Sequence, residues 1–351
     1  MQFLRLPRLP PHKAPDSWIA FWLFICCAML AIMVLLGGLT RLTHSGLSMV
    51  EWEPLVGVIP PLSLADWQIL FSKYQKTPEY LQVNQGMTLD DFKDIFWLEY
   101  LHRLWGRMIG LAFALPFLWM TLRKKINRRL WPGLAGLLFV GGLQGLAGWY
   151  MVRSGLVKDP TVSHYRLALH LALAFLLHGW MLWLGLSLLG GAAPSPLLHR
   201  SRPLRFGLLG LVLMVSCTVL FGALVAGLHA GLIYNSFPLM EGHLIPDDLW
   251  RLGWLSPFED IKTVQFTHRC LAVLTVTLAL TLWLILRRHT PGGKVALPMT
   301  LCALMALLQA GLGIATLLMM VPVWLASLHQ MGALLLFTFS LWSLQYFSRK
   351  N

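Results

Sequence analysis

The sequence has 351 residues, of which 57% are hydrophobic and 12% are charged, and its net charge is +13. This composition excludes an ordinary soluble domain and predicts an all-α integral membrane protein. Eight apolar stretches are long enough for a bilayer, which takes about 20 residues to cross. In chain order these predicted transmembrane helices are 18–38, 95–120, 132–152, 166–190, 206–228, 263–286, 297–320 and 324–346.

Basic residues cluster in the N-terminal tail and in every second connection, whereas the acids lie almost entirely in the other connections. The basic clusters are Arg5, Arg8 and Lys13; Arg123, Lys124, Lys125, Arg128 and Arg129; Arg200, Arg202 and Arg205; Arg287, Arg288 and Lys294; and Arg349 and Lys350. The positive-inside rule therefore places both termini on the cytoplasmic side of a bacterial inner membrane, or in the matrix of a mitochondrion. Since topology accounts for the positive charge, we expect membrane lipid and no nucleic acid as a partner.

Several short patterns occur once in each half of the chain, in the same order. The matched positions are Gly37 and Gly222, His44 and His229, Gln144 and Gln309, Val162 and Val321, and His170 and His329. Because each half has an even number of spans, the repeats should be parallel. The sequence predicts two pseudo-symmetric four-helix bundles, residues 1–191 and 206–351, joined by a basic linker at 192–205.

The first outer loop, residues 39–94, is the largest segment outside the predicted spans. Within it, Ser63–Asp66 and Thr88–Asp91 have the Ser/Thr-x-x-acid pattern that favours a helix start. We expect the second of these helices to continue into the membrane, so that Glu99 and His102 lie on a rigid helix.

Four histidines lie on the second, fourth, sixth and eighth predicted helices: His102, His170, His268 and His329. Each lies about five to seven residues inside the outer boundary, hence roughly 8–10 Å deep at 1.5 Å per residue. Two repeat-related pairs at one depth predict two bis-histidine sites, and two neutral imidazoles are a common ligand set for heme iron. Zinc is the weaker alternative, because the second half offers no third or fourth ligand. A lone histidine would instead indicate a polar helix–helix contact.

Glu99 is the candidate catalytic residue, because it precedes the first histidine by three positions and so shares its helix face. A carboxylate at membrane depth is costly and is a functional candidate by default. The alternative is a structural ion pair with Arg103 or Arg107. The second half keeps Arg269 but has Gln265 in place of the acid. We expect a structural pair to survive in both halves, which favours chemistry, and we expect Glu99→Gln to retain volume and hydrogen-bonding reach.

Five arginines lie near the outer boundary, where the propionates of two hemes would emerge. They are candidates for bidentate pairing with those propionates or for simple interfacial snorkelling. These residues are Arg41, Arg103, Arg107, Arg166 and Arg269.

Nearly the whole chain resembles the heme A synthase family, in the form found in mitochondria and alphaproteobacteria. Its most specific parts are long ungapped strings, namely residues 37–43 running into 45–52, residues 87–89 and residues 99–107. The resemblance implies oxidation of the C8 methyl of heme O to the formyl group of heme A, which is used in cytochrome oxidase.

The resemblance also implies a division of roles between the halves. His268 and His329 would hold a heme b cofactor, whereas His102 and His170 would receive the substrate heme, with Glu99 essential for oxidation. A heme O synthase and an electron donor that the sequence does not identify are the expected partners. Gram-positive relatives have a cysteine pair in the first outer loop, and this chain has none there.

Two other functions are compatible with the same residues. One is a di-heme b-type protein that passes electrons from quinol to an acceptor, and the other is a heme transporter or chaperone. A homo-oligomer is compatible with all three functions.

Overall fold

The computed structural model describes residues 17–51, 56–156, 160, 162–190, 202–290 and 295–348. Within these residues eight helices are long and apolar enough to cross a membrane. They are α1 (Ser17–Leu42), α4 (Leu89–Leu122), α5 (Trp131–Gly155), α6 (His164–Leu189), α7 (Arg202–Gly227), α9 (Ile261–His289), α10 (Leu297–Leu318) and α11 (Val323–Ser348). The predicted all-α membrane fold is confirmed.

The shorter helices lie in the two large outer connections. They are α2 (Leu64–Tyr74), α3 (Pro78–Gln82) and α8 (Ser256–Glu259), with single 3-10 turns at Val56–Val58, Ala230–Leu232 and Gly253–Leu255. No strand occurs in the part of the chain that the structure describes. Most of the predicted linker, residues 192–201, lies outside the described residues.

Both predicted helix starts in the first outer loop are confirmed as capping boxes. The Ser63 hydroxyl accepts from the Asp66 N–H at 3.1 Å, and the Asp66 carboxylate accepts from the Ser63 N–H at 3.0 Å. Thr88 and Asp91 make the same exchange at 3.2 and 3.1 Å. Each cap stabilises its helix by about 1 kcal/mol. As a result α4 begins at Leu89, well before its apolar part.

The chain divides into two compact units, residues 29–174 and residues up to 28 together with those from 175 onward. The borders fall inside α1 and α6 and not in the 192–205 segment. The halves 1–191 and 206–351 therefore remain a prediction from the sequence repeat.

An aromatic cluster forms the core of the outer loop in the 29–174 unit. Trp67 and Tyr74 of α2 pack against Phe92, Phe96 and Tyr100 of α4, and all five are buried. The Trp67 and Phe96 ring centroids are 4.9 Å apart, and those of Tyr74 and Phe92 are 5.1 Å apart. Such pairs contribute about 1 kcal/mol each beyond their area. They fix α2 against the outer part of α4.

In the other unit, a few polar contacts join otherwise apolar helices. Thr218 of α7 and Thr275 of α9 share a hydrogen bond of 2.9 Å between their hydroxyls. His178 of α6 lies 2.9 Å from the Thr338 hydroxyl of α11 through its Nε2 atom. His178 is buried, so it serves as a packed polar contact between helices.

Candidate functional site

In the first half, both candidate histidines lie against a glycine of the preceding spanning helix. A Cβ atom on Gly37 of α1 would lie 3.1 Å from His102 Nε2, and one on Gly148 of α5 would lie 2.9 Å from His170 Cε1. Distances this short are tighter than nearly all real Cβ contacts. Glycine is therefore needed for the rings to lie flat against the helix backbone.

The second half has the same arrangement. A Cβ on Gly222 of α7 would lie 3.1 Å from His268 Cε1, and one on Gly313 of α10 would lie 2.8 Å from His329 Cε1. All four rings are half-buried. Each candidate histidine thus packs closely against a glycine, so the local packing supports equivalent roles for all four.

The two histidines of each half lie close enough for their charges to interact. Among the described residues, no three His, Cys, Asp or Glu side chains converge as a metal site. A bare metal ion would therefore find at most two of these ligands in either half. Heme fits this donor set, because the macrocycle supplies four nitrogens and leaves two axial positions for imidazole.

One histidine has its tautomer set by the main chain. His268 Nδ1 lies 3.0 Å from the Thr218 carbonyl oxygen. Since a carbonyl only accepts, Nδ1 must carry the proton, and the lone pair of Nε2 is left for a metal.

His170 and His329 face the glutamines that the two halves have at matched positions. Gln144 Nε2 lies 3.3 Å from His170 Nε2, and Gln309 Nε2 lies 3.1 Å from His329 Nδ1. Oε1 of both glutamines and Nδ1 of His170 are buried without a hydrogen-bond partner. Buried polar atoms are usually paired. Gln309 Nε2 also donates to the His329 carbonyl oxygen at 2.8 Å, so the amide nitrogen and not the amide oxygen faces the ring. These buried atoms therefore stay unpaired, and the fit to heme rests on the imidazole donor set.

Glu99 is almost completely buried on α4, and both of its oxygens are engaged. Oε1 accepts from Arg103 Nη2 at 2.6 Å and from Arg103 Nε at 3.0 Å. Oε2 accepts from the Ser48 hydroxyl at 2.7 Å and from the Met49 N–H at 2.9 Å. Four donors around one carboxylate fix its orientation.

Gln265 of α9 occupies the matched place in the second half and is equally buried. Its Oε1 accepts from Arg269 Nη2 at 3.0 Å. Its Nε2 donates to the carbonyl oxygens of Ala230 at 3.0 Å and Tyr234 at 3.1 Å. The contact with the arginine is therefore retained. The other polar atoms differ, because Gln265 Nε2 faces two acceptors whereas Glu99 Oε2 faces two donors.

Two arguments from the sequence need correction. The pair with arginine does survive in both halves, as Glu99–Arg103 and Gln265–Arg269, so the asymmetry does not exclude a structural role for Glu99. Nor does Glu99→Gln fully retain the hydrogen bonding, because an amide nitrogen cannot accept from the Met49 N–H. The catalytic role of Glu99 stays a prediction.

The predicted propionate partners fall into two groups. Arg103 also donates to the carbonyl oxygens at positions 49 and 51, and Arg269 donates to those at 234 and 236. These two side chains thus anchor the segments that follow α1 and α7. Arg166 donates to the Tyr150 hydroxyl at 3.2 Å, Arg41 ends α1, and Arg107 lies one turn after Arg103. For all five the propionate role stays a prediction.

The residues that the sequence did not identify are Ser48 and the main-chain N–H of Met49. Both contact the candidate carboxylate from a segment about 50 positions earlier in the chain. Ser48 lies in the string 45–52, whose resemblance to the family was noticed, but nothing in that pattern indicates the contact.

Residues 20–341 match the family described as cytochrome oxidase assembly protein. The chain is 56% identical over 341 residues to the heme A synthase of Paramagnetospirillum magneticum, covering 95% of this chain and 94% of that protein. The heme A synthase of Nitrosospira multiformis is 49% identical over 352 residues, covering 97% and 98%. That of Nitrosomonas eutropha is 48% identical over 335 residues, covering 92% of each chain. With this identity over nearly its full length, the chain belongs to the cytochrome oxidase assembly family that includes the heme A synthases.

Proposed function

We propose that this protein is a membrane-bound oxidoreductase that converts heme O to heme A, a step in the assembly of cytochrome oxidase. The observation that carries the proposal is a difference between two otherwise matched histidine pairs. Each pair lies on glycines of neighbouring helices, and only the first has a buried carboxylate three positions before a histidine. In a di-heme electron carrier that acid would serve only as the structural partner of Arg103.

The second half would hold a heme b cofactor through His268 and His329. When bound, heme b supplies single-electron transfer. The protein's own contribution is the tautomer, because the Thr218 carbonyl keeps the proton on Nδ1 of His268 and leaves the Nε2 lone pair available to a metal. Gly222 and Gly313 let both rings lie close to the helix backbones.

The first half would bind heme O through His102 and His170. Turning a methyl group into a formyl group removes two hydrogens, adds one oxygen and releases electrons and protons. Glu99 lies on the same face of α4 as His102, so its role would be to accept a proton beside the methyl group or to organise water there. The arginines near the outer boundary, Arg41, Arg107 and Arg166, would pair with propionates.

The charge pattern supports a location in the inner membrane with both histidine pairs near the outer face. The described connection between α4 and α5 is strongly basic and would face the cytoplasm. Heme O would come from a heme O synthase, and electrons from a donor still to be identified. A homo-oligomer is compatible with this arrangement.

The decisive experiment is to extract the hemes from membranes that contain Glu99→Gln. If Glu99 handles protons, heme A formation should fall at least about 10²-fold, the usual loss when a general acid–base group is removed. Heme O, or a half-oxidised alcohol, should accumulate in its place, while the heme b absorption should persist.

Glu79→Gln is the matched control, because Glu79 is a second buried acid of the same unit whose carboxylate accepts from the Tyr74 hydroxyl of the outer loop. It should leave heme A formation at the parent level. Normal heme A from Glu99→Gln would reduce Glu99 to a structural partner of Arg103. A parent protein that yields only unmodified heme b would instead indicate the electron carrier.

A further inference from the structure

Two short segments that follow α1 and α7 begin alike and make matching backbone contacts. The 44–51 segment and the 229–236 segment each begin with a histidine in the left-handed region, with φ of 53° at His44 and 52° at His229. Each then supplies two carbonyl oxygens, two residues apart, to the arginine that follows the candidate histidine. The segments can therefore be compared position by position.

In this comparison, two matched positions differ between the segments and their partner helices: the acid and the residue that faces it. Ser48 in the first segment corresponds to Ile233 in the second, and Glu99 corresponds to Gln265. The Ser48 hydroxyl donates to Glu99 Oε2 at 2.7 Å, whereas Ile233 has no polar side-chain atom to offer. Two positions far apart in the chain thus change as a pair, while the anchoring arginines stay the same.

The Ser48 hydroxyl has alternative acceptors within reach. Its oxygen lies 3.3 Å from the Ser45 carbonyl oxygen and 3.4 Å from the Ile95 carbonyl oxygen, compared with 2.7 Å to Glu99 Oε2. The hydroxyl has one hydrogen, which goes to the closest and charged acceptor while Glu99 is an anion. It can turn to either carbonyl without any movement of the backbone.

We propose that Ser48 is a positioning residue for Glu99, one that lets Oε2 take up a proton while the carboxyl group keeps its place. When Oε2 becomes protonated, its O–H donates to Ser48 Oγ and the serine hydrogen turns to the Ser45 or Ile95 carbonyl. Arg103 holds Oε1 throughout. The proton leaves the substrate group being oxidised, or the water beside it, as its bond there breaks and the Oε2–H bond forms, and no bond within the protein breaks. This inference rests on the proposed function, and it identifies Oε2 as the atom of Glu99 that accepts the proton.

Alanine and threonine at position 48 separate this role from simple packing. Ser48→Ala should lower kcat for heme A formation about tenfold, the value of one hydrogen bond to a charged group, with KM for heme O unchanged. Ser48→Thr keeps the hydroxyl and should recover most of the parent kcat. Heme b absorption reports folding. If the alanine variant does not accumulate, Ser48→Cys, with a weak donor of similar size, takes its place and should have a kcat clearly below that of Ser48→Thr.

Two further variants complete the test. Ile233→Ala, at the matched position of the second segment, should leave kcat at the parent value because Ile233 is largely exposed and has no polar side-chain atom. In a Glu99→Gln background, Ser48→Ala should lower the residual rate less than twofold, since residues that act through one another are not additive.

The inference is overturned if Ser48→Ala has the parent kcat, if threonine gives no recovery, or if the Ser48 and Glu99 losses multiply. In each of these cases the parent still forms heme A, so the proposed function stands. A parent that forms no heme A overturns the proposed function itself.

Discussion

Glu99 and Gln265 are matched in position, burial and arginine partner, yet the groups that face them have opposite hydrogen-bonding character. The hydroxyl of Ser48 and an N–H meet the carboxylate in the first half, whereas two carbonyl oxygens meet the amide in the second. Hydrogen-bond donors stabilise a carboxylate, whereas carbonyl acceptors require an N–H donor. The first segment therefore favours glutamate at position 99, and the second favours glutamine at position 265. The difference between the halves therefore involves both the helix that carries the histidine and the segment that follows the preceding helix.

The outer connections differ as well. The first contains an aromatic core and a second buried acid, Glu79, whose carboxylate accepts from the Tyr74 hydroxyl at 3.2 Å. The second is shorter and has 3-10 turns and one short helix in its described part. The larger loop belongs to the half with the candidate acid and packs against the helix that carries it.

The largest effect is expected from removing a cofactor ligand. His268→Ala or His329→Ala should abolish the low-spin heme b spectrum or convert it to high spin, because one axial imidazole is lost. His102→Ala should leave that spectrum and stop heme A formation. Reduced-minus-oxidised absorption spectra of the purified variants make the comparison. Loss of heme b from His102→Ala, with retention in His268→Ala, would reverse the roles of the two halves.

A smaller loss is expected from Gln265→Glu. The new carboxylate would face the carbonyls of Ala230 and Tyr234, and Arg269 would compensate only one of its oxygens. We expect a loss of about 3 kcal/mol in stability, typical of a poorly compensated buried charge, and no second active site. Thermal unfolding followed by heme b absorption measures this loss. An unchanged Tm would mean that the carbonyls do not select the amide.

The close packing of histidine rings against glycines can be tested in both halves at once. Gly148→Ala and Gly313→Ala place a methyl group 2.9 and 2.8 Å from the rings of His170 and His329, which must shift. We expect a loss of about 1–3 kcal/mol in stability, together with a changed heme b spectrum for Gly313→Ala only. Gly145→Ala and Gly311→Ala are matched controls on the same helices, since nothing lies within 4 Å of an added Cβ there. Equal losses of stability in the test and control variants would contradict a requirement for glycine beside the histidine rings.

The smallest effect is expected from pH, and only in the first outer loop. Burial raises the pKa of Glu79 to about 7 from an ordinary 4.5, the Tyr74 hydrogen bond opposes this, and the charge of Glu99 adds to it. The folded state therefore binds more protons between these values, so stability should fall as pH rises from about 4.5 to about 7 and then level off. Glu79→Gln should remove this slope in unfolding experiments. A slope of the opposite sign in the parent would contradict the assignment.

The sequence determined the membrane class, the eight helices and the four histidines, because these depend on local properties. An apolar run long enough for a bilayer has to become a helix, and the caps at Ser63 and Thr88 lie within four residues of their partners. The position of Glu99 one turn before His102 also follows from helix geometry alone. Family membership followed from long strings of consecutive residues.

Only the tertiary structure decided what surrounds those residues. Contacts between Ser48 and Glu99, between Gly148 and His170, and between Gln309 and its histidine join different helices or segments. No periodicity along one helix encodes which group of another helix will face it. For the same reason the sequence does not explain why position 265 has an amide where position 99 has an acid. The two carbonyl oxygens that favour the amide belong to a segment about 30 positions away. Whether a buried position takes an acid or an amide depends on the donors and acceptors that folding brings to it.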